Sequence, residues 1–189
     1  MKPGVPTSRY LVFFALALGV CALDLFTKTW AFASLGLPDR FSEPWWLWQG
    51  VLGFQTSLNG GALFGLGQGF WPLFAALSIG AAIGILLWLF GAGAARDWLL
   101  TIALGFVMAG ILGNLYDRLG LPGLRWPHGF AGHSADAPVH AVRDFILVMI
   151  GRWPWPTFNI ADSSLVCGAA LLVWHALQKR PEGELDDVS

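Results

Sequence analysis

Charged residues are scarce in this sequence. Only 12% of its 189 residues are Asp, Glu, Lys or Arg, whereas a soluble domain carries about 25%. So few charges cannot cover the surface of a water-soluble globule. The formal net charge of -1 provides no general attraction for phosphates, so no nucleic-acid partner is expected.

Cysteine and the common catalytic motifs are scarce as well. Cys21 and Cys167 each lie in an apolar run, so we expect small core residues rather than a disulfide framework. No H-E-x-x-H motif occurs, which removes that class of zinc peptidase. The polar clusters contain no Ser–His or Cys–His arrangement, which leaves carboxylates as the available catalytic groups.

Long apolar runs are abundant. The sequence is 56% hydrophobic, with a mean hydropathy of +0.60, 11 Trp and 14 Phe. About 20 apolar residues span a bilayer, and aromatic rings settle at its interfaces. We therefore predict an all-α membrane protein, a single domain over residues 1–189, with spans at about 10–30, 70–90, 98–117 and 160–177.

The first apolar run has a rival interpretation as a cleaved signal peptide. Basic residues precede it, and Ala31-Phe32-Ala33 resembles a cleavage site. Asp24 and Lys28 inside the run, and further spans downstream, favour a retained helix instead. These two residues are four apart on one helical face and can pair. They either support a site or form a snorkelling lysine with its counter-ion.

Two connecting segments have a composition unlike the spans. Residues 36–58 combine prolines and a Trp cluster with a strand pattern at 50–56, so we predict a small β-rich cradle lying on the membrane. Residues 119–140 form a long loop rich in Gly, Pro and His. Its side chains match no compact zinc spacing, so a solvated loop without metal or other cofactor is expected, although it contains His128, His133, Asp136 and His140.

Polar residues recur at one end of each predicted span. Because successive spans alternate in direction, these residues fall on one side of the membrane at similar depth. Ionisable residues are costly in lipid and usually functional, so we predict a single polar site near one interface. Basic residues are nearly balanced across the two sides, so the positive-inside rule does not orient the chain. The polar set is Asp24, Lys28, Asn59, Asn114, Asp117, Arg118, Asp144, Asn159 and Asp162.

Paired carboxyls suggest the chemistry. Two carboxyls held close together cannot both ionise easily, so one keeps its proton. The ionised carboxyl can deprotonate water while the protonated one polarises a carbonyl, as in aspartic proteases. A transporter would instead need polar residues through both halves of the bundle. A structural subunit with Asn114 and Asn159 as helix caps leaves four acids at one depth unexplained.

Five short motifs carry a family resemblance from the first span to the last. In this order the sequence resembles lipoprotein signal peptidase, also called signal peptidase II. Each motif is modest alone, and five in order are highly specific. The motifs are Asp24-x-x-Thr27-Lys28, Asn59-x-Gly61-Ala62-x-Phe64, Gly113-Asn114-Leu115-Tyr116-Asp117-Arg118, Val142-x-Asp144-Phe145-Ile146 and Phe158-Asn159-x-Ala161-Asp162-Ser163.

The resemblance implies a fold, an activity and a location. The family is a four-span aspartyl endopeptidase of the bacterial inner membrane, with cytoplasmic termini and a site that faces outward. It cleaves diacylglyceryl-modified prolipoproteins just before the lipobox cysteine. Residues 36–56 would form its extracytoplasmic cradle, and residues 144–155 a short interfacial helix that clamps substrate. We expect a monomer in contact with membrane lipid.

The resemblance also assigns residues. Asp144 and Asp162 would be the catalytic dyad. Arg143 is a departure, because the family usually has an apolar residue beside the first catalytic Asp, and the loop at 119–140 is longer than the usual connection. Supporting or substrate-binding roles would fall to Asp24, Lys28, Asn59, Gly61, Asn114, Asp117, Arg118 and Asn159.

Overall fold

Four long helices and four short strands make up the described part of the chain. The computed structural model describes residues 4–39, 43–61, 67–127 and 134–178. In chain order the elements are α1 (Thr7–Leu35), β1 (Trp45–Trp48), β2 (Leu52–Asn59), α2 (Trp71–Leu86), α3 (Trp98–Arg118), β3 (Val142–Ile150), β4 (Trp153–Pro154) and α4 (Ile160–Gln178).

The four helices predicted from the apolar runs are present. Each is long and apolar enough to cross a membrane, counting α2 together with its continuation through a π-helical turn to Gly91. Large apolar side chains such as Leu18, Leu77 and Val173 are exposed on the outer faces of α1, α2 and α4. Such faces suit a lipid environment, in which apolar surface needs no cover.

Helix α3 is the centre of the bundle. Of the apolar segment of α3 that is long enough to cross a membrane, 56% is buried, whereas the corresponding segments of the other three helices are 17% buried or less. It packs against α1, α2 and α4. The core between the helices is apolar and includes Phe13, Leu89, Leu104 and Met108. The two cysteines lie outside this core, since Cys167 is exposed and Cys21 is half-buried. The prediction that both are core residues was therefore wrong.

Glycines bring α3 and α4 into close contact. A Cβ atom on Gly110 would lie 2.5 Å from the Ala161 carbonyl oxygen, and one on Gly168 would lie 2.8 Å from the Ala103 carbonyl oxygen. These neighbours are backbone atoms that cannot rotate away. Small residues at a helix interface permit this approach, which brings the start of α4 to the end of α3.

The strands form one antiparallel sheet in the order β1-β2-β3-β4. The predicted cradle supplies β1 and β2, which pair through Trp45 and Phe54. β3 joins the other edge of β2, with Ser57 opposite Asp144 and Asn59 opposite Val142. Phe145 of β3 also packs against Ala31 and Phe32 of α1, so the sheet is attached to the site end of the bundle.

The expected interfacial helix at residues 144–155 is wrong. This segment forms most of β3, a turn at Gly151 with φ of +63°, and β4. Two physical reasons favour the strand. The run from Val142 to Ile150 is rich in β-branched and aromatic residues, and β2 offers an edge with which its backbone pairs.

The described parts of the loop, residues 119–127 and 134–140, are more ordered than a solvated connection. Trp126, Val139 and Ala141 form a small apolar cluster of their own. The Trp126 amide donates to the Ala137 carbonyl at 3.0 Å, and the Val139 amide donates to the Leu124 carbonyl at 3.0 Å. His128 and His133, two of the histidines considered in this loop, lie outside the described residues.

We predict that Gly168→Ala destabilises the bundle. The added methyl group meets the backbone of α3 and must push the two helices apart, at a cost of about 1–3 kcal/mol. Gly80→Ala is the matched control, since a Cβ there meets nothing within 4 Å. Thermal unfolding in detergent should give a lower midpoint for Gly168→Ala alone. Equal midpoints for both variants and the parent would contradict the close packing.

Candidate active site

Asp144 and Asp162 are joined through one residue, Asn159. The Asn159 Nδ2 atom donates to Asp144 Oδ1 at 2.6 Å. The Asn159 backbone amide donates to Asp162 Oδ2 at 3.3 Å, and Asn159 Oδ1 accepts from the Asp162 amide at 2.9 Å. Asp144 lies near the start of β3 and Asp162 in the first turn of α4, so Asn159 links the sheet to the helix.

The same contacts cap α4. Asn159 precedes the helix, and Asp162 is its third residue, so their reciprocal bonds have the pattern of a capping box. The interpretation of Asn159 as a helix cap is therefore correct but incomplete, because its amide nitrogen also binds Asp144. The N-terminus of a helix favours a negative charge, which suits a carboxylate at Asp162.

Asn114 does not cap a helix and instead orients Asp162. Its Nδ2 atom donates to Asp162 Oδ1 at 2.8 Å. Its Oδ1 atom accepts from Lys28 Nζ at 3.0 Å and from Asn159 Nδ2 at 3.3 Å. An amide has donors at one end and an acceptor at the other, so these partners fix its orientation. Asp162 thus accepts a hydrogen bond on each oxygen.

A buried ion cluster lies beneath the carboxyl pair. Lys28 Nζ is 2.8 Å from Asp24 Oδ2 and 3.0 Å from Asp117 Oδ2. Arg143 Nε is 2.8 Å from Asp117 Oδ1, and the Arg143 amide donates to Asp117 Oδ2 at 3.1 Å. The cluster contains two acids and two bases, and no member is more than 3% exposed. Asp24 and Lys28 are therefore not a snorkelling pair.

The cluster explains the unexpected Arg143. Its guanidinium binds Asp117, and Nη1 lies 3.4 Å from Thr29 Oγ1. The backbone of the residue beside Asp144 is thereby fixed to α3. The role of Arg143 as an ion-pair partner was missed from the sequence, although two acids beside a single lysine indicate that a second base is needed to neutralise a buried group.

Asp24 also holds the start of α4. Its Oδ1 atom accepts from the Ala161 amide at 2.8 Å. Together with the cap from Asn159, this bond satisfies two of the amides that a helix N-terminus leaves without partners. The first turn of α4, and with it Asp162, is therefore held by a side chain from α1.

The remaining predicted residues lie at the rim. Asn59 donates a hydrogen bond to Asp144 and accepts one from the Gly61 amide at 3.1 Å, so Gly61 takes part through its backbone. Arg118 is half-buried at the end of α3, with its guanidinium 5.6 Å from the centre of the Phe74 ring. Among the described residues it forms no ion pair within 4 Å, although its charge is attracted by Asp162 and Asp144.

The surroundings of Asp144 favour its protonated form. Burial, followed by the charge of Asp162, raises the pKa of Asp144 from 3.8 to about 8, against the opposing effects of Asn159, Lys28 and Asn59. At neutral pH one carboxyl of the pair therefore carries a proton.

Within the ranges that the structure describes, no group of three or more His, Cys, Asp or Glu side chains is arranged to hold a metal.

Comparisons with known proteins point to one family. The family model described as signal peptidase (SPase) II matches residues 16–178. A lipoprotein signal peptidase of Rhodopirellula baltica is 44% identical to this chain, covering 96% of it and 79% of that protein. One from Rhodococcus jostii is 36% identical, covering 89% of this chain and 74% of that protein.

The fold also resembles solved structures. A bacterial membrane enzyme determined by the in meso method at 2.3 Å resolution has a TM-score of 0.71 and 24% identity, covering 94% of both chains. A second, determined by the same method at 1.9 Å, has a TM-score of 0.69 and 25% identity, covering 95% of this chain and 99% of that chain.

We predict that Arg143→Leu destabilises the protein by about 3–5 kcal/mol, because it leaves the buried cluster with one uncompensated negative charge. The double variant Arg143→Leu/Asp117→Asn removes one charge of each sign and should recover much of that loss. Unfolding midpoints in detergent give both values. Equal stability of the single variant and the parent would show that the ion pair is not required.

Proposed function

The chain belongs to the signal peptidase II family, and from that membership we propose that it is an aspartyl endopeptidase that removes the signal peptides of prolipoproteins. Cleavage falls just before the diacylglyceryl-modified cysteine. The observation that carries the proposal is the pairing of Asp144 and Asp162 through Asn159. An ionised and a protonated carboxyl are what the aspartic-protease mechanism of peptide hydrolysis requires.

The proposed reaction uses the pair as one unit with a shared proton. Asp162, as the carboxylate, takes a proton from water while the water oxygen attacks the carbonyl carbon before the modified cysteine. Asp144 donates its proton to the carbonyl oxygen. The tetrahedral intermediate then returns that proton to Asp144 as the C–N bond breaks, and Asp162 protonates the departing cysteine nitrogen.

The supporting residues keep the two carboxyls in place. Asn59 and Asn159 hold Asp144, and Asn114 holds Asp162. Such fixed donors need no reorganisation during the reaction. Arg118 lies at the rim, where its charge is available to the substrate backbone. The ion cluster of Asp24, Lys28, Asp117 and Arg143 supports the start of α4 and of β3 from below.

The arrangement in the membrane follows from the same proposal. The protein is a multi-pass membrane protein, and we place it in the bacterial inner membrane with cytoplasmic termini, the site facing outward and the chain acting as a monomer. The family resemblance supports this orientation. An ion pathway through the bundle has no support, because the described core away from the site is apolar, as at Phe13, Leu89 and Met108.

We predict that Asp144→Asn and Asp162→Asn each reduce turnover by about 10³-fold or more, since each removes one half of the acid–base pair. Purified protein in detergent should be assayed with a diacylglyceryl-modified prolipoprotein. Asp136→Asn is a matched control, because Asp136 is exposed and Asn tolerates its φ of +60°. Folded dyad variants that retain parental turnover would refute the assignment.

We also predict a loss of cleavage as pH rises through about 8. Above that value Asp144 loses the proton that polarises the carbonyl, so the rate should decline about tenfold per pH unit. The control Asp136→Asn should follow the parental profile. A rate that stays constant up to pH 10 would contradict a protonated Asp144 in the mechanism.

Stability provides a second readout of the same proton. The pKa of Asp144 is about 8 in the folded protein, and in the unfolded chain it has its ordinary value of 3.8. The folded state therefore keeps a proton that the unfolded chain has lost, and stability decreases as pH rises between these values. Asp144→Asn removes this dependence, so its free energy of unfolding should rise relative to that of the parent from pH 5 to pH 8.

A further inference from the structure

A cavity of about 480 Å³ lies between the end of β2 and the long loop that precedes β3. We call it the loop cavity. Ligand pockets typically measure about 300–1,000 Å³, so it has room for a short peptide segment. Its principal walls are Ser57, Leu58 and Gly60 from β2 and the residues after it, and Trp126, Ala137 and His140 from the loop.

The loop cavity adjoins the carboxyl pair. Ser57, in its wall, is the register partner of Asp144 across the two strands. Asn59, two residues further along β2, donates a hydrogen bond to Asp144. Alternate residues of a strand share a face, so the wall at Ser57 and the amide that binds Asp144 lie on the same side of β2. A chain leaving the dyad along this face reaches the cavity.

The walls are held in place by contacts with several elements. The His140 ring stacks on Trp71 at the start of α2, with ring centroids 3.9 Å apart and an interplanar angle of 9°. His140 Nδ1 lies 3.0 Å from the Arg118 carbonyl oxygen at the end of α3. Trp126 belongs to the loop's own apolar cluster. The cavity is thus preformed, which lowers the entropy cost of binding.

The position of the walls excludes the signal peptide as the occupant. They come from segments that connect the helices at the site end of the bundle and from the first residue of α2, and none comes from α1, α3 or α4. A signal peptide lies in the bilayer, against the helices. The part of a substrate that extends beyond the membrane is the part that follows the modified cysteine.

The chemistry of the walls indicates which residues fit. Among the described residues, the lining consists of aromatic, proline and small side chains with Leu58, His140, Ser57 and Gln68, and this part of it includes no Asp, Glu, Lys or Arg. An ionised side chain entering this space would lose water without gaining a charged partner. An uncharged segment gains contact with Trp71 and Trp126 at no such cost.

We propose that the loop cavity binds the first residues after the modified cysteine of the prolipoprotein and selects uncharged residues there. The proposal rests on the proposed function, because it names the substrate segment that this cavity receives. It also gives the long loop, which the family resemblance leaves unexplained, a role in specificity rather than in the chemical step.

The test uses two substrates and two variants. One substrate carries an uncharged segment after the diacylglyceryl-modified cysteine, and the other ends at that cysteine. Ala137→Trp fills the cavity from the loop side. Ala135→Trp is the matched control, because Ala135 is exposed in the same loop and does not line the cavity. KM and kcat are measured for each combination, and thermal unfolding checks the fold of each variant.

The expected result is selective. Ala137→Trp should raise KM for the extended substrate about tenfold, as expected when the contacts of one or two side chains are lost. It should leave kcat and cleavage of the truncated substrate unchanged. Ala135→Trp should change neither. In the parent, placing Asp residues in the segment should raise KM by a similar factor, and Ala137→Trp should remove that difference.

Other results overturn the proposal in distinguishable ways. If the parent has equal kcat/KM for the extended and truncated substrates, the protein does not recognise the segment after the modified cysteine. If a folded Ala137→Trp loses kcat/KM equally on both substrates, the substitution has disturbed the dyad and not a binding site for the segment. If Ala137→Trp does not fold, Ala137→Leu gives the same comparison with a smaller side chain. A folded parent that cleaves neither substrate overturns the proposed function as well.

Discussion

The balance of charge within the buried ion cluster is the constraint on which the rest of the site depends. Asp24 and Lys28 come from α1, Asp117 from α3 and Arg143 from β3. Each is buried, so the loss of any one leaves a charge without a partner and without water. The Ala161 amide of α4 binds the same cluster through Asp24. Three helices and the sheet must therefore meet at one point, and the two carboxyls are held directly above it.

The lipid environment explains why much of this architecture is predictable from the sequence. A membrane span needs about 20 apolar residues, so four apolar runs give four helices with little ambiguity. Because successive spans alternate in direction, their polar ends are expected on the same side of the membrane. This expectation requires no knowledge of how the helices pack. The proximity of Asn114, Asn159 and Asp162 follows from this reasoning, because few arrangements allow polar groups to avoid lipid.

The parts that the sequence did not reveal depend on pairings between distant segments. The run from Val142 to Ile150 is too short for its apolar pattern to distinguish a strand from a helix. It forms a strand because its backbone pairs with the edge of β2, which is distant in sequence. The partner of Arg143 is equally nonlocal, because Asp117 lies on another element. The stacking of His140 on Trp71 joins two connections that have no local pattern in common. The family resemblance assigned roles to the residues of the candidate site but predicted none of these contacts.

The pairing of Asp24 with Lys28 at four residues' separation has a consequence for biogenesis. Helices enter the bilayer in the order in which they are synthesised, and α1 enters before Asp117 and Arg143 have been made. Because its acid and base lie on one face of the same helix, α1 can neutralise its own charges on the way in. The lysine is then shared with Asp117 when α3 arrives, and the arginine of β3 restores neutrality when the last third of the chain is added. The order of the charges along the sequence therefore lets each insertion step proceed with at most one unbalanced charge.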